Sequence, residues 1–199
     1  MRTRTSSWML AVIALTFGGV TASAQVAPGL RTGTTELGLF AGASIGLDKL
    51  RPMGGMNISR AVTSWALPYG EFSYFPEIAR RQSVGTSVSE GGAKIYDIHF
   101  GVHLCAPLKE KRVLPYGVFG FGWIRTDVMV KTRDTRAPAG TGTDNHFTDN
   151  DPAVNFGGGI RYYATDRAGF RVEYKLYRPV SGRFTDFFSK VEGGLFFQF

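Results

Sequence analysis

Histidine and cysteine, which often supply a catalytic base, a nucleophile or a zinc ligand, are scarce in this 199-residue chain, which has three histidines and one cysteine. His99, His103 and Cys105 would share one face if their segment forms a β-strand. Same-face neighbours on a strand lie about 6.6 Å apart, whereas zinc needs ligands converging at about 2.0–2.3 Å. We therefore expect no metal site here and interpret the three residues as filling for a protein interior.

Two further motifs could bind an ion or a phosphate group. Asp144, Asp149 and Asp151 could bind calcium at a cell surface, but their spacing departs from the D-x-D-x-D-G pattern of a calcium loop. The run Gly157–Gly159 lacks the Lys-Ser/Thr pair that follows the glycines of a phosphate-binding loop. We expect neither a metal nor a cofactor.

Charged and apolar side chains alternate along most of the chain, with the period of two that a β-strand requires. In residues 189–199, Leu195 and Phe197 lie on one face and Glu192 and Gln198 on the other. The pattern predicts an all-β protein with eight antiparallel strands, at 34–46, 53–60, 64–76, 94–105, 115–131, 152–164, 168–179 and 189–199. Pro68 should mark a strand start or a bulge, because a closed barrel has no edge strand to hold proline.

The composition favours strands over helices. The chain has 26 glycines, and a glycine within a helix costs about 1 kcal/mol relative to alanine. A mean hydropathy of −0.07 excludes a helical membrane protein, and a hydrophobic fraction of 43% argues against disorder. Because one cysteine allows no internal disulfide, something else must hold an exported chain together, and a closed, hydrogen-bonded barrel would do so.

The connections between the predicted strands alternate in length. The longer ones are 47–52, 77–93, 132–151 and 180–188. Outer-membrane barrels have short periplasmic turns and longer external loops, so this alternation fits an up-and-down transmembrane barrel. The segment 132–151 is rich in Gly, Thr, Asp and Asn without apolar rhythm, which predicts a mobile surface loop.

The polar faces of the strands carry charges of both signs, which indicates an enclosed ion network. Its predicted members are Glu36, Glu71, Asp97, Arg125, Arg161, Arg171, Glu173, Lys175 and Glu192. Inside a narrow barrel such charges must pair, because an unpaired buried charge is costly. The alternative is a soluble, lipocalin-like barrel that binds a ligand, with an apolar interior and the charges in water.

The first residues have the features of a secretory signal peptide. Arg2 and Arg4 precede an apolar segment at 8–20, and Ala22 and Ala24 form an A-x-A site followed by Gln25. We predict a cleaved signal peptide at 1–24 and one barrel domain at 25–199. A signal peptide predicts export, and together with the alternating strands it leads us to expect the bacterial outer membrane as the location, reached through the periplasm.

Three motifs together resemble the small OmpA-like outer-membrane β-barrels. Residues 192–199 are similar to the outer-membrane assembly signal, with Glu192, Gly194, Phe197 and Phe199 at its fixed positions. Residues 115–122 resemble the P-Y-x-x-x-G-x-G strand of that family, and residues 157–174 resemble its G-G-G-x-R-Y hairpin with the T-D turn. In that resemblance Arg161, Arg171 and Glu173 match positions that face the barrel interior.

The resemblance implies an eight-stranded transmembrane barrel that acts as a structural protein or through its external loops, without catalysis. The implied partners are outer-membrane lipid, lipopolysaccharide and, through the last strand, the barrel assembly machinery. A basic loop with Arg80, Arg81 and Lys94 could contact lipopolysaccharide phosphates or simply be solvated. We expect a monomer and, because the cations are dispersed, no binding of nucleic acid.

An enzyme that modifies lipid A is the alternative function, because some eight-stranded outer-membrane barrels transfer or hydrolyse its acyl chains. The deacylases carry an H-x-S-N motif, which supplies the serine and histidine of a nucleophilic site. The nearest match here is His146–Asn150, with Thr148 in place of serine. The match is poor, so we expect no catalysis.

Deleting Phe199 is expected to reduce the amount of folded protein in the outer membrane, because the last strand loses the aromatic residue of its assembly signal. Membrane fractionation followed by immunoblotting measures the effect. Phe199→Tyr, which keeps an aromatic ring, serves as the control and should assemble normally. Wild-type amounts of the truncated protein would contradict the assembly-signal interpretation.

Overall fold

The computed structural model describes residues 30–46, 50–78, 80–84, 87–106, 112–134, 136, 142–180 and 187–199. The predicted signal peptide, with Ala22, Ala24 and Gln25, lies outside the described residues. Within those ranges no helix is both long enough and apolar enough to cross a membrane.

The described chain folds into nine antiparallel strands. They are β1 (Thr35–Ile45), β2 (Arg51–Arg60), β3 (Ala66–Phe75), β4 (Arg80–Val84), β5 (Ser87–Cys105), β6 (Val113–Asp134), β7 (Gly142–Tyr163), β8 (Ala168–Pro179) and β9 (Phe188–Gln198). Consecutive strands pair, except β3 and β4. In addition β1 pairs with β9, and β3 pairs directly with β5, so that eight strands close a ring. The short β4 pairs with β5 beyond this ring. The prediction of an eight-stranded, up-and-down β-barrel is confirmed.

The barrel wall is apolar outside and polar inside. Leu39, Phe119 and Val172 point outward and are 62%, 59% and 61% exposed, while Arg161 and Lys175 are fully buried within the ring. This polarity is the reverse of a soluble barrel, in which the interior is apolar. The lipocalin-like alternative therefore does not hold.

Inward glycines make room for inward aromatic rings on the neighbouring strands. A Cβ atom added to Gly159 would lie 2.7 Å from Tyr116 Cζ, and one added to Gly194 would lie 2.8 Å from Phe40 Cβ. A Cβ on Gly169 would meet the ring of Phe196 at 2.4 Å. Large residues are thus placed opposite residues without side chains, which fills a narrow barrel without voids.

Pro68 is the third residue of β3 and is paired with Val102 of β5. The ladder between β2 and β3 ends at Ser59 and Tyr69, one residue before Pro68 is reached. On the β2 side, therefore, the missing proline N–H interrupts no ladder. This position at the beginning of the strand is one of the two that the sequence allowed.

The predictions of loops at 77–93 and 132–151 are wrong, because strands occupy most of both segments. Pairing between β6 and β7 continues from Ile124–Asp151 up to Arg133–Gly142, and β4 forms a hairpin with β5. We call this extension, formed by β4, 87–94 of β5, 126–134 of β6 and 142–150 of β7, the projecting sheet. It covers no core, so its sequence has no reason to alternate between apolar and polar residues.

The two ends of the barrel differ in their connections. One end has the turns 61–65 and 165–167, together with the beginning of β1 and the end of β9, and we call it the short-turn end. In one of these turns Thr165 N donates to Ala168 O at 3.0 Å, and the Thr165 hydroxyl accepts from Ala168 N at 3.0 Å. The projecting sheet rises from the opposite end.

Gly159→Ala is expected to lower the free energy of unfolding by about 1–3 kcal/mol, the usual cost of overpacking. The added methyl group would overlap the Tyr116 ring and lie 2.5 Å from Val172 O. Gly117→Ala is the control, because the nearest atom to its Cβ, Gly157 O, is 3.9 Å away. Urea titration in detergent micelles compares them, and equal stabilities would contradict the proposed packing.

Candidate functional site: the charged interior and the projecting sheet

Lys175 of β8 lies at the centre of the ion network inside the barrel. Its Nζ is 2.6 Å from Glu71 Oε2 and 2.7 Å from Glu71 Oε1, across the barrel on β3. The same nitrogen lies 2.6 Å from Glu173 Oε1 and 3.5 Å from Glu192 Oε1. One ammonium group thus links carboxylates from three different strands.

Lys190 of β9 connects this centre to the end that carries the projecting sheet. Its Nζ donates to Asp97 Oδ2 at 2.5 Å and to Ser73 Oγ at 2.9 Å, and lies 3.5 Å from Glu71 Oε1. Asp97 is also in close contact with the imidazole of His99. The ring of His99 packs edge-on against Tyr177, with 4.9 Å between the ring centroids.

Two arginines extend the network towards the short-turn end. Arg171 Nη2 donates to Glu192 Oε1 at 3.2 Å, and its guanidinium stands over the Phe40 ring at 5.2 Å. Arg161 forms a buried ion pair with Glu36 and donates from Nη2 to His103 Nδ1 at 2.7 Å. The interior charges therefore extend through the barrel, from Glu36 towards the short-turn end to Asp97 towards the projecting sheet.

Among the described residues, the ion network comprises five carboxylates and four cations, and every carboxylate of the network has a cation within ion-pair distance. The pairs are Glu36 with Arg161, Glu71 with Lys175, Asp97 with Lys190, Glu173 with Lys175, and Glu192 with Arg171. Tyr116 adds a donor, because its hydroxyl lies 2.5 Å from Glu173 Oε2. Pairing is required, since removing one partner of a buried pair leaves an uncompensated charge.

Arg125 does not belong to this network, and its prediction as an interior residue is wrong. Its side chain is 55% exposed on the outer face, where Nε lies 3.3 Å from Asp127 Oδ1. The inward positions of β6 are those of Tyr116, Val118 and Ile124, so Arg125 falls on the other face. Conversely, the sequence-based network omitted Lys190, although Lys190 shares the polar face of Glu192.

Two apolar layers enclose the ion network. Towards the short-turn end, Leu67, Leu114, Tyr163 and Phe196 belong to one buried cluster. Towards the projecting sheet, a second cluster is formed by Phe40, Met53, Phe75, Ile95, Ile124, Ala153, Tyr177 and Phe188. Within the described residues, side chains therefore fill the barrel at both ends and in the middle.

The carboxylates of Glu71, Glu173 and Glu192 come within 4.8 Å of one another, close enough to hold a metal ion. Lys175 Nζ already contacts all three, however, and supplies the positive charge that an ion would bring. We therefore assign this cluster to the ion network.

The histidines and the cysteine of β5 have separate surroundings. His99 contacts Asp97, His103 accepts from Arg161, and Cys105 lies in the apolar cluster with Leu67. Their different partners give no convergence on one ion.

The acidic and hydroxyl residues of β7 also do not form a site. Asp144 lies on the opposite face of the strand from Asp149 and Asp151, because their positions differ in parity. The Thr148 hydroxyl donates to Asp127 Oδ1 at 2.9 Å. A carboxylate, and not the imidazole of His146, thus accepts the hydrogen bond from this hydroxyl.

The outer face of the projecting sheet carries a row of charges that alternate in sign from strand to strand. Arg81, Glu90, Lys131 and Asp144 stand opposite one another on four adjacent strands. Arg81 Nε lies 3.7 Å from Glu90 Oε1, and Lys94 Nζ lies 3.6 Å from Glu77 Oε2. Since each residue is held by a backbone ladder, the sheet presents a fixed charged surface.

Comparison with known proteins identifies the fold. The structure matches Ail, the attachment invasion locus protein of Yersinia pestis, with a TM-score of 0.55, 14% identity and coverage of 85% of this chain and 100% of that chain. It matches Neisserial surface protein A with a TM-score of 0.55, 9% identity and coverage of 83% and 96%. A major outer membrane protein from Thermus thermophilus gives a TM-score of 0.57, 8% identity and coverage of 83% and 99%.

These matches define the class: the chain has the fold of the small, eight-stranded outer-membrane β-barrels. At identities of 14% and below they show the fold alone. No protein-family model matches the sequence, and no curated protein matches it.

Lys175→Met is expected to lower the free energy of unfolding by about 3–5 kcal/mol, because Glu71 and Glu173 lose their shared cation inside the barrel. Adding Glu71→Gln should recover part of the loss. Lys131→Met, on the exposed sheet, is the control and should change stability by less than about 0.5 kcal/mol. Urea unfolding in micelles measures all three, and similar losses for Lys175→Met and Lys131→Met would contradict the network.

Proposed function

We propose that this protein is an integral protein of the bacterial outer membrane, of the OmpA-like kind, and that it acts through its external surface without catalysis. The observation that carries the proposal is the inverted polarity of the barrel, with paired charges enclosed and apolar side chains outside. Such a wall is stable where lipid surrounds it, because every backbone polar group of a closed barrel is bonded within the sheet.

The filled interior supports a structural role over a pore. Eight strands leave an interior that side chains can just fill. Here Tyr163 and Phe196 fill one end, Tyr177 and Phe188 fill the other, and the ion pairs lie between them. A barrel packed in this way is a rigid support for the strands that extend beyond it.

The hydrogen bonding of β7 supports a non-enzymatic role over lipid A modification. A deacylase needs a hydroxyl that an imidazole can deprotonate. The Thr148 hydroxyl is instead engaged with Asp127. The projecting sheet therefore supports binding better than it supports hydrolysis.

We expect the projecting sheet to be the binding or adhesion surface. Function is often carried by segments that a rigid scaffold holds outside its core. Ail, whose name describes attachment and invasion, has the same barrel architecture. Near the barrel rim, Arg125 and Lys94 face outward and are suited to contact lipopolysaccharide phosphates. Assembly would proceed through β9, and the protein would be a monomer.

The experiment compares the wild type with a variant in which residues 127–148 are replaced by Asn-Gly, a two-residue hairpin turn. Both proteins should enter the outer membrane and run faster on gels when unheated than when boiled. Trypsin added to intact cells should cleave the wild type at Lys131 or Arg133, and the fragments from these two sites should be missing from the variant, which lacks both residues. Adherence of the expressing cells to host-cell monolayers should fall in the variant.

Three results would contradict the proposal. Recovery of the wild type in the soluble periplasmic fraction, or no heat-dependent shift, would exclude an inserted barrel. Equal adherence of the two strains, with both proteins correctly inserted, would remove the binding role from the projecting sheet.

A further inference from the structure

Three arginines are anchored at the short-turn end by backbone pairing. Arg60 is the last residue of β2 and stands opposite Thr35. The carbonyl oxygen of Arg112 accepts from Tyr163 N at 2.8 Å, and that of Arg167 accepts from Gln198 N at 2.7 Å. All three arginines are exposed, so the barrel fixes their backbones at its rim while their guanidinium groups face the surroundings.

The arginines follow one another around the rim. Arg60 ends β2, Arg167 lies in the turn between β7 and β8, and Arg112 precedes β6. Because β3 pairs with β5, the strands β2, β3, β5, β6, β7 and β8 are consecutive neighbours. The three arginines therefore lie, with Arg112 in the middle, on an arc that covers more than half of the rim. Among the described residues at this end, Asp166 is the one acidic side chain outside the barrel interior, and Arg31 lies 3.6 Å from it.

Each arginine lies beside aromatic residues of the outer face. Trp65, in the turn that follows Arg60, is 52% exposed, and Tyr162, one residue before the partner of Arg112, is 43% exposed. Phe197 pairs with Ala168, the neighbour of Arg167. Exposed Trp and Tyr mark the level at which apolar lipid gives way to headgroups, which places the arginines at the height of the lipid phosphates.

We infer that this arc, which we call the arginine arc, binds anionic phospholipid headgroups in the leaflet at the short-turn end. The inference rests on the proposed membrane insertion. Arginine suits this role because its planar guanidinium makes paired hydrogen bonds to phosphate oxygens. The cations lie beside the apolar belt. An anionic membrane surface attracts such cations over a distance of about 10 Å at moderate salt.

The test uses the full chain in nanodiscs made from phosphatidylcholine mixed with phosphatidylglycerol. Native mass spectrometry counts the lipids that stay bound when the disc is removed. The wild type should retain phosphatidylglycerol severalfold above its share of the mixture, and high salt should abolish the excess. The triple variant Arg60→Gln, Arg112→Gln, Arg167→Gln should retain the two lipids in proportion to the mixture.

The matched control removes the same number of charges from the exposed residues beyond the other end of the barrel, through Lys131→Gln, Arg133→Gln and Arg136→Gln. It should keep most of the phosphatidylglycerol excess. An equal loss in both triple variants would show a general effect of net charge and overturn the inference. The heat-dependent gel shift verifies that each variant is folded.

The outcomes separate this inference from the proposed function. Failure of the wild type to insert into nanodiscs would count against the barrel as a membrane protein. Insertion without a preference for phosphatidylglycerol would overturn only the inference that the arginine arc binds anionic lipid. A third outcome would also overturn the lipid inference: the wild type shows no lipid preference but cosediments with isolated peptidoglycan, and the triple arginine variant does not. The arginine arc would then bind the cell wall.

Discussion

The structure depends on the pairing of charges inside a closed ring of strands. A wall that is apolar outside must place its polar side chains inward, because successive residues of a strand face opposite sides. The interior is too narrow for those charges to stay in bulk water. Lys175, which contacts Glu71, Glu173 and Glu192 at once, shows the solution: cations and carboxylates from distant strands satisfy one another.

This pairing also fixes the register of the strands. A shift of one residue along β8 would move Lys175 and Glu173 to the apolar outer face and bring Tyr174 into the interior. Both changes are unfavourable, so the ion pairs select one arrangement as well as stabilising it. The glycines contribute to the same arrangement, because Gly159, the partner of Tyr116, leaves space for its ring in the observed register.

The sequence was sufficient to predict the barrel, because period-two alternation with charges on one face is typical of very few folds. It also indicated that Arg161, Arg171 and Glu173 face the interior, because they lie on strands with regular alternation. It failed for Arg125, because β6 continues beyond the barrel and its outward face becomes polar there. It also could not show that Lys190 contacts Asp97, since strand pairing across the barrel brings together residues far apart in the chain.

The projecting sheet was missed for a related reason. Alternation in a sequence reports a strand with one face against a core or a membrane, and residues 142–150 have neither. They are held by the continuing ladder with β6. In this ladder Lys131 stands opposite Asp144, and Asp127 accepts a hydrogen bond from the Thr148 hydroxyl. Backbone pairing and exposed charges can therefore extend a strand well beyond the part that hydrophobicity predicts.

The two ends of the barrel follow from this distinction. At the short-turn end, tight turns hold Arg60 and Arg167 close to the apolar belt, where the proposed insertion would bring lipid headgroups within reach. At the other end the projecting sheet carries its charges away from that belt, as the proposed binding role requires. A single sealed barrel thus separates a surface suited to lipid from a surface suited to recognition, and because its interior is packed, neither surface needs a conformational change in the wall to act.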